Sequence, residues 1–246
     1  MIHVHKKHQQ SGFTIVELLL AMSFVSLLLM AITMTVVQIT NIYTKGLTMR
    51  AVGQAGQTLT QDIRRSIEAA RPLDLGVDSK GGQNFQPMVA VGGDINNPDG
   101  GRLCTGSYSY IWNNGKALAN PVNNYSNSDE TIRLVKVIDN GSLYCSDPAR
   151  AIDRATSTEM LSAGDRELAV QSFSIKLATA NPDSGQALYL IMLEVGTNDE
   201  GSLDRQTTLT SIDTSCRPPA EGVKLDDYCA VNKFEFTARA GNVGGL

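Results

Sequence analysis

From Phe13 the chain is apolar on every side, and then its pattern changes without a break. Leu18 to Val37 holds twenty residues without a charge, a length that spans a bilayer. Further on, Val52, Ala55, Leu59, Ile63, Ile67 and Ala70 recur at helical spacing, whereas Gln54, Gln57, Gln61, Arg64, Arg65 and Glu68 fall largely elsewhere. No proline interrupts Phe13 to Arg71, so one helix is predicted across this range, roughly 85–90 Å long at 1.5 Å per residue. Arg71-Pro72 ends it. Residues 13–39 form its lipid-compatible half, and residues 40–71 an amphipathic half that requires a protein surface. Gly46, Gly53 and Gly56 oppose helix formation by roughly 1 kcal/mol each, and so mark a bend or a close contact.

After Pro72 the chain is rich in turns: GVDSKGGQNFQP, GGDINNPDGG and NGKALANPVNNYSNSDE all read as loops. Strands are predicted at Tyr108 to Trp112, Thr131 to Ile138, Val170 to Ala178, Leu188 to Val195, Thr207 to Ile212 and Lys233 to Ala238. Phe173, Ile175 and Leu177 alternate as one face of a sheet. The predicted class is therefore α+β. A long N-terminal α-helix, membrane-spanning in its first half, packs by its second half on an antiparallel β-sheet head formed by residues 72–246. No internal repeat is present.

The 42% hydrophobic content averages a strongly apolar segment with a polar, Gly- and Asn-rich remainder. Net charge is −4, which opposes a grip on nucleic acid through its phosphates. All three histidines, His3, His5 and His8, lie in the first twelve residues. Without that segment the chain has no imidazole for a catalytic triad, a zinc site or a general base. No catalytic residue, metal or cofactor is implied. Acid pairs such as Asp226-Asp227 and Asp199-Glu200 read as solvated turns. DINNPDG resembles a calcium loop, but Pro98 occupies its fifth position and Thr105 stands where the closing Glu belongs. Asn124-Tyr125-Ser126 matches a glycosylation sequon, a pattern short enough to arise by chance.

Cys104, Cys145, Cys216 and Cys229 all follow the apolar segment, separated by 40, 70 and 12 residues. An even number on one side of a membrane reads as two disulfides in an oxidising space. Of the three pairings, Cys104 with Cys145 and Cys216 with Cys229 is preferred, because both close consecutive, local loops. The charges flanking the apolar segment, Lys6 and Lys7 before it and Lys45 and Arg50 after it, are nearly balanced. The cysteines therefore set the expected orientation, with the N-terminus cytoplasmic and the head outside.

One residue breaks the apolar pattern. Glu17 lies inside the run that opens at Phe13, where a carboxylate is costly and normally retained for a function. The stretch Gly12-Phe13-Thr14-Ile15-Val16-Glu17, after a short basic leader and before about twenty apolar residues, resembles the processing site of type IV prepilins. That resemblance implies that a prepilin peptidase removes residues 1–12 by cutting between Gly12 and Phe13, and methylates the new amino group of Phe13. It also implies that Glu17 pairs with the terminal amine of a neighbouring subunit during assembly.

LTQDIRRSIEAA, AGDRELAVQSFSIKLAT followed by ALYLIMLEVG, and the cysteine-bounded segment near the C-terminus are similar to W-type minor pilins and to J-type pseudopilins of type II secretion. The apolar helix lacks the proline common in major pilins, and the processed length of 234 residues is large for a main building block. The expectation is a minor pilin. Its partners would be other pilin subunits, the prepilin peptidase, membrane lipid and the pilus assembly machinery, and its place the cell membrane, then the surface pilus. A pseudopilin uses the same processing and is the nearest alternative. A permanently anchored adhesin or binding ectodomain belongs to a different class and predicts an uncut chain with no dependence on Glu17.

Overall fold

The computed structural model describes residues 12–73, 75, 93–94, 97–98, 101–112, 133–146, 150, 152–161, 167–181, 185–198, 202–207, 212–217 and 229–241. Most of the leader, the loops predicted at 76–87 and 114–130, and the sequon lie outside them. The chain forms two compact units, Met1–Thr44 and Lys45–Leu246.

Helix α1 runs Ile15–Glu68, two residues inside the predicted start and three inside the predicted end. In the first unit its side chains from Ile15 to Thr40 are all exposed, and the helix is long and apolar enough to cross a membrane. In the second unit one face is buried. Val52, Leu59, Ile63, Ile67 and Ala70, five of the six positions expected there, are at most 4% exposed, and Ala55 packs at the margin. The last turn tightens, with Ala70 N–H donating to Ile67 O at 3.0 Å, and Gly241 N–H then donates to Ala70 O at 2.9 Å. Past Pro72 the Tyr189 hydroxyl receives Leu73 N–H at 2.7 Å and donates to Leu73 O at 3.0 Å. These bonds fasten the helix exit to the sheet.

The single predicted sheet is several. Strands β3 (Gly101–Cys104), β4 (Tyr108–Trp112), β5 (Leu134–Ile138) and β6 (Ser157–Glu159) form one antiparallel sheet in that order. Strands β7 (Leu168–Asn181), β8 (Gln186–Thr197) and β11 (Val231–Ala240) form another, in the order β11-β8-β7. Two hairpins, β1 (Gly93–Asp94) with β2 (Asn97–Pro98) and β9 (Leu203–Thr207) with β10 (Ile212–Cys216), complete the described strands. The strand predicted at Thr207 to Ile212 is a correction: Thr207 ends β9 and faces Ile212, which opens β10. Its β-branched run reads as one strand because nothing in its composition marks the reversal between them.

Strand periodicity decides what meets the helix. Ala187, Tyr189, Ile191, Leu193 and Val195 alternate onto the core face of β8. On β7, Val170 and Phe173 are an odd step apart, yet both border the core. A bulge between Val170 and Ser172 absorbs the extra residue, and Gln171 Nε2 donates to Thr197 O at 2.8 Å. Leu103, Tyr110, Trp112 and Leu134 of the four-stranded sheet join the same core. Its opposite face, with Ile111, Val135 and Val137, builds a second cluster with Tyr144 and Ile152.

The glycines of α1 divide by what surrounds them. A Cβ at Gly56 would clash with the edge of the Phe234 ring, whereas at Gly53 it would meet nothing within 4 Å. Gly56→Ala is expected to destabilise the second unit by about 1–3 kcal/mol through overpacking. Gly53→Ala is expected to stabilise it by up to about 1 kcal/mol through helix propensity. Thermal unfolding of the full chain in detergent checks both signs.

Candidate functional site

Gly12, Phe13 and Thr14 precede α1 and are exposed, Phe13 by 78%. Thr14 is the helix cap: Leu18 N–H donates to its carbonyl at 3.2 Å. Its side chain and that of Glu17 bond reciprocally. Thr14 N–H donates to Glu17 Oε2 at 3.0 Å, the Thr14 hydroxyl donates to the same oxygen at 2.9 Å, and Glu17 N–H donates to Thr14 Oγ1 at 3.3 Å. This is a capping box. It satisfies first-turn N–H groups that lipid would leave unpaired.

Thr14 is not among the site residues expected from the prepilin-like stretch, although Thr-x-x-Glu before an apolar run is itself the signal of a capping box. The box changes what the acid needs. It supplies Glu17 with hydrogen bonds and leaves its charge in place, because Thr14 brings no cation. Both side-chain bonds fall on Oε2, and among the described residues Oε1 takes none. In the same unit the hydroxyls of Ser23, Ser26, Thr33, Thr35, Thr40 and Thr44 each donate to a carbonyl three or four residues back, at 2.7–2.9 Å. Glu17 is thus the one charge among Phe13 to Thr44.

The second unit holds polar groups of another kind. Lys136 Nζ lies 2.9 Å from both carboxylate oxygens of Asp62 on α1 and 4.1 Å from the Tyr108 ring centroid. Tyr110 donates to Asp62 Oδ2 at 2.7 Å, so its single proton is committed, and the Ser66 hydroxyl, 2.6 Å away, is the donor to it. Burial first, then the neighbouring Asp62 charge, pushes the Tyr110 hydroxyl well above its ordinary range. The cluster ties helix to sheet.

Buried Asp139 receives the Ser109 hydroxyl, Leu143 N–H at 2.8 Å and Tyr144 N–H at 3.1 Å. It caps the short helix α2 (Leu143–Ser146). The Glu159 carboxylate receives the N–H groups of Arg133, Leu134 and Leu161 at 3.1–3.2 Å. Among the described residues no group of three or more His, Cys, Asp or Glu is placed to hold a metal. The small cavity bordered by Ile63, Trp112, Val170 and Leu193 is walled by apolar and aromatic side chains.

The cysteines pair as Cys104 with Cys145 and Cys216 with Cys229, with Cα atoms 6.2 and 5.7 Å apart. The first bond ties β3 to α2 within the second cluster; the second joins the end of β10 to the residues before β11. The calcium-like loop contributes Gly93–Asp94 and Asn97–Pro98 as paired two-residue strands. Gly12, Phe13 and Glu17 lie together at the start of α1 in the first unit, and all four cysteines in the second.

Burial raises the Glu159 carboxyl above its usual range, against the opposing pull of its three N–H donors and Arg133. A raised carboxyl binds its proton more tightly in the native state, so its contribution to stability is greatest when protonated and is lost as pH rises. The stability of wild type relative to Glu159→Gln is expected to fall as pH rises above the ordinary carboxyl range, measured by urea unfolding. A difference that grows with pH would mean that the hydrogen bonds outweigh burial.

Comparison with models of known protein families, with curated protein sequences and with solved structures finds no match in any of the three.

Proposed function

We propose that this chain is a minor type IV pilin, a structural subunit that resides in the membrane through the first half of α1 and is drawn from it into a pilus or its initiating tip. The observation that carries the reading is Glu17, a capped carboxylate with no counter-charge among the described residues, at the head of a helical segment that is exposed, apolar and otherwise uncharged as far as Thr40. Cleavage between Gly12 and Phe13 would create an ammonium four residues from it, on every copy.

In an apolar bundle, the terminal amine of an incoming subunit and the Glu17 carboxylate of a neighbour each lack a counter-charge until they meet. Their pairing rewards correct registration, because a misplaced subunit leaves both charges unpaired. Thr14 supports this arrangement by holding one carboxylate oxygen against the first turn. The disulfide-braced second unit would be the exported head.

Two substitutions separate charge from capping. Glu17→Gln retains a capping-box side chain and removes the charge; Glu17→Ala removes both. Co-expressed with wild type, both are expected to be cleaved normally and to be depleted in sheared surface filaments relative to the membrane pool. Losing one member of a buried pair costs about 3–5 kcal/mol, and a third of that lowers incorporation roughly tenfold. If Gln matches wild type while Ala is depleted, Glu17 acts only as a cap. Equal ratios for all three would contradict the assembly role.

A further inference from the structure

The apolar segment does not end as a soluble helix would at Val37. Ile39, Ile42 and Tyr43 remain 60%, 74% and 67% exposed, interleaved with Gln38, Thr40, Asn41 and Thr44. No charge appears until Lys45. Leu18 to Val37 is about 30 Å of helix, the thickness of the hydrocarbon core. Gln38 to Thr44 adds about 10 Å, comparable with a headgroup layer together with a modest helix tilt.

Resting on the membrane residence proposed above, we infer that Gln38–Thr44 is a lipid-interface collar, with Ile39, Ile42 and Tyr43 set among phospholipid headgroups and Lys45 meeting their phosphates. Three observations converge. The composition is mixed apolar and polar with a tyrosine, the side chain that joins an apolar ring to a hydroxyl and collects at this depth. The Thr40 and Thr44 hydroxyls donate to Val36 O at 2.9 Å and Thr40 O at 2.7 Å, so neither needs water. Charge is complementary as well: from Leu18 to Gln61 the only charged residues are Lys45 and Arg50, both cations, and a lysine stem can lie along apolar surface while its ammonium reaches a phosphate. Leaving Ile42 and Tyr43 in water would forfeit the burial that a headgroup layer supplies.

The test places a spin label on the full chain, reconstituted in vesicles of zwitterionic lipid with or without an anionic component. The four native cysteines are paired, so Leu28→Cys, Ile42→Cys and Met49→Cys each give one labelling site. Collision with oxygen and with a nickel chelate reports depth. Leu28 is expected deep, Met49 aqueous and Ile42 between them; with anionic lipid present, Lys45→Glu should shift Ile42 toward the aqueous value. A deep Leu28 with Ile42 as aqueous as Met49 would overturn the collar while leaving membrane residence standing. An aqueous Leu28 would overturn both. An unchanged Ile42 in Lys45→Glu would remove the phosphate contact from the proposal.

Discussion

One helix carries two kinds of surface along a single continuous set of backbone hydrogen bonds. In its first unit the apolar side chains are uncovered and the hydroxyls are closed onto the helix's own carbonyls, which is what a medium without water demands. In the second, the stripe from Val52 to Ala70 is buried against two sheets, which is what a core demands. The change comes within a few residues: Thr44 closes the first unit, and Thr48 is already fully buried in the second.

The head is organised to hold that stripe. The bulge in β7 keeps Val170 and Phe173 at the same core. Gly56 gives way to Phe234, and the Asp62–Lys136 pair joins helix to β5. With Lys136 19% and Asp62 28% exposed, these two side chains are neither free in water nor fully desolvated. Their contribution therefore lies between the small effect of surface pairs and the large penalty of breaking buried ones.

How much of this is legible in the sequence depends on the range over which each feature acts. The helix, its buried face and strands such as Tyr108–Trp112 follow from periodicity, a local property. The preferred cysteine pairing rested on loop length and coincides with the pairs in the structure. Gly101–Cys104 is not legible as a strand because GRLC lacks strand-like alternation, and it becomes one through its pairing with β4. Asp62 with Lys136, and Gly56 with Phe234, join residues far apart in the chain, and no local pattern announces them. Thr14 is the instructive case. Its signal, Thr-x-x-Glu before an apolar run, is local and present in the sequence. The structure assigns part of the role of Glu17 to the first turn and leaves its charge to be explained.

That charge ties the fold to the proposed assembly, and the assembly requires a new amino terminus. The most direct measurement is the intact mass and N-terminal peptide of this chain recovered from sheared surface filaments. The account predicts a chain beginning at Phe13, carrying one methyl group on its terminal nitrogen, with both disulfides formed. Recovery of the chain with residues 1–12 still attached would contradict it.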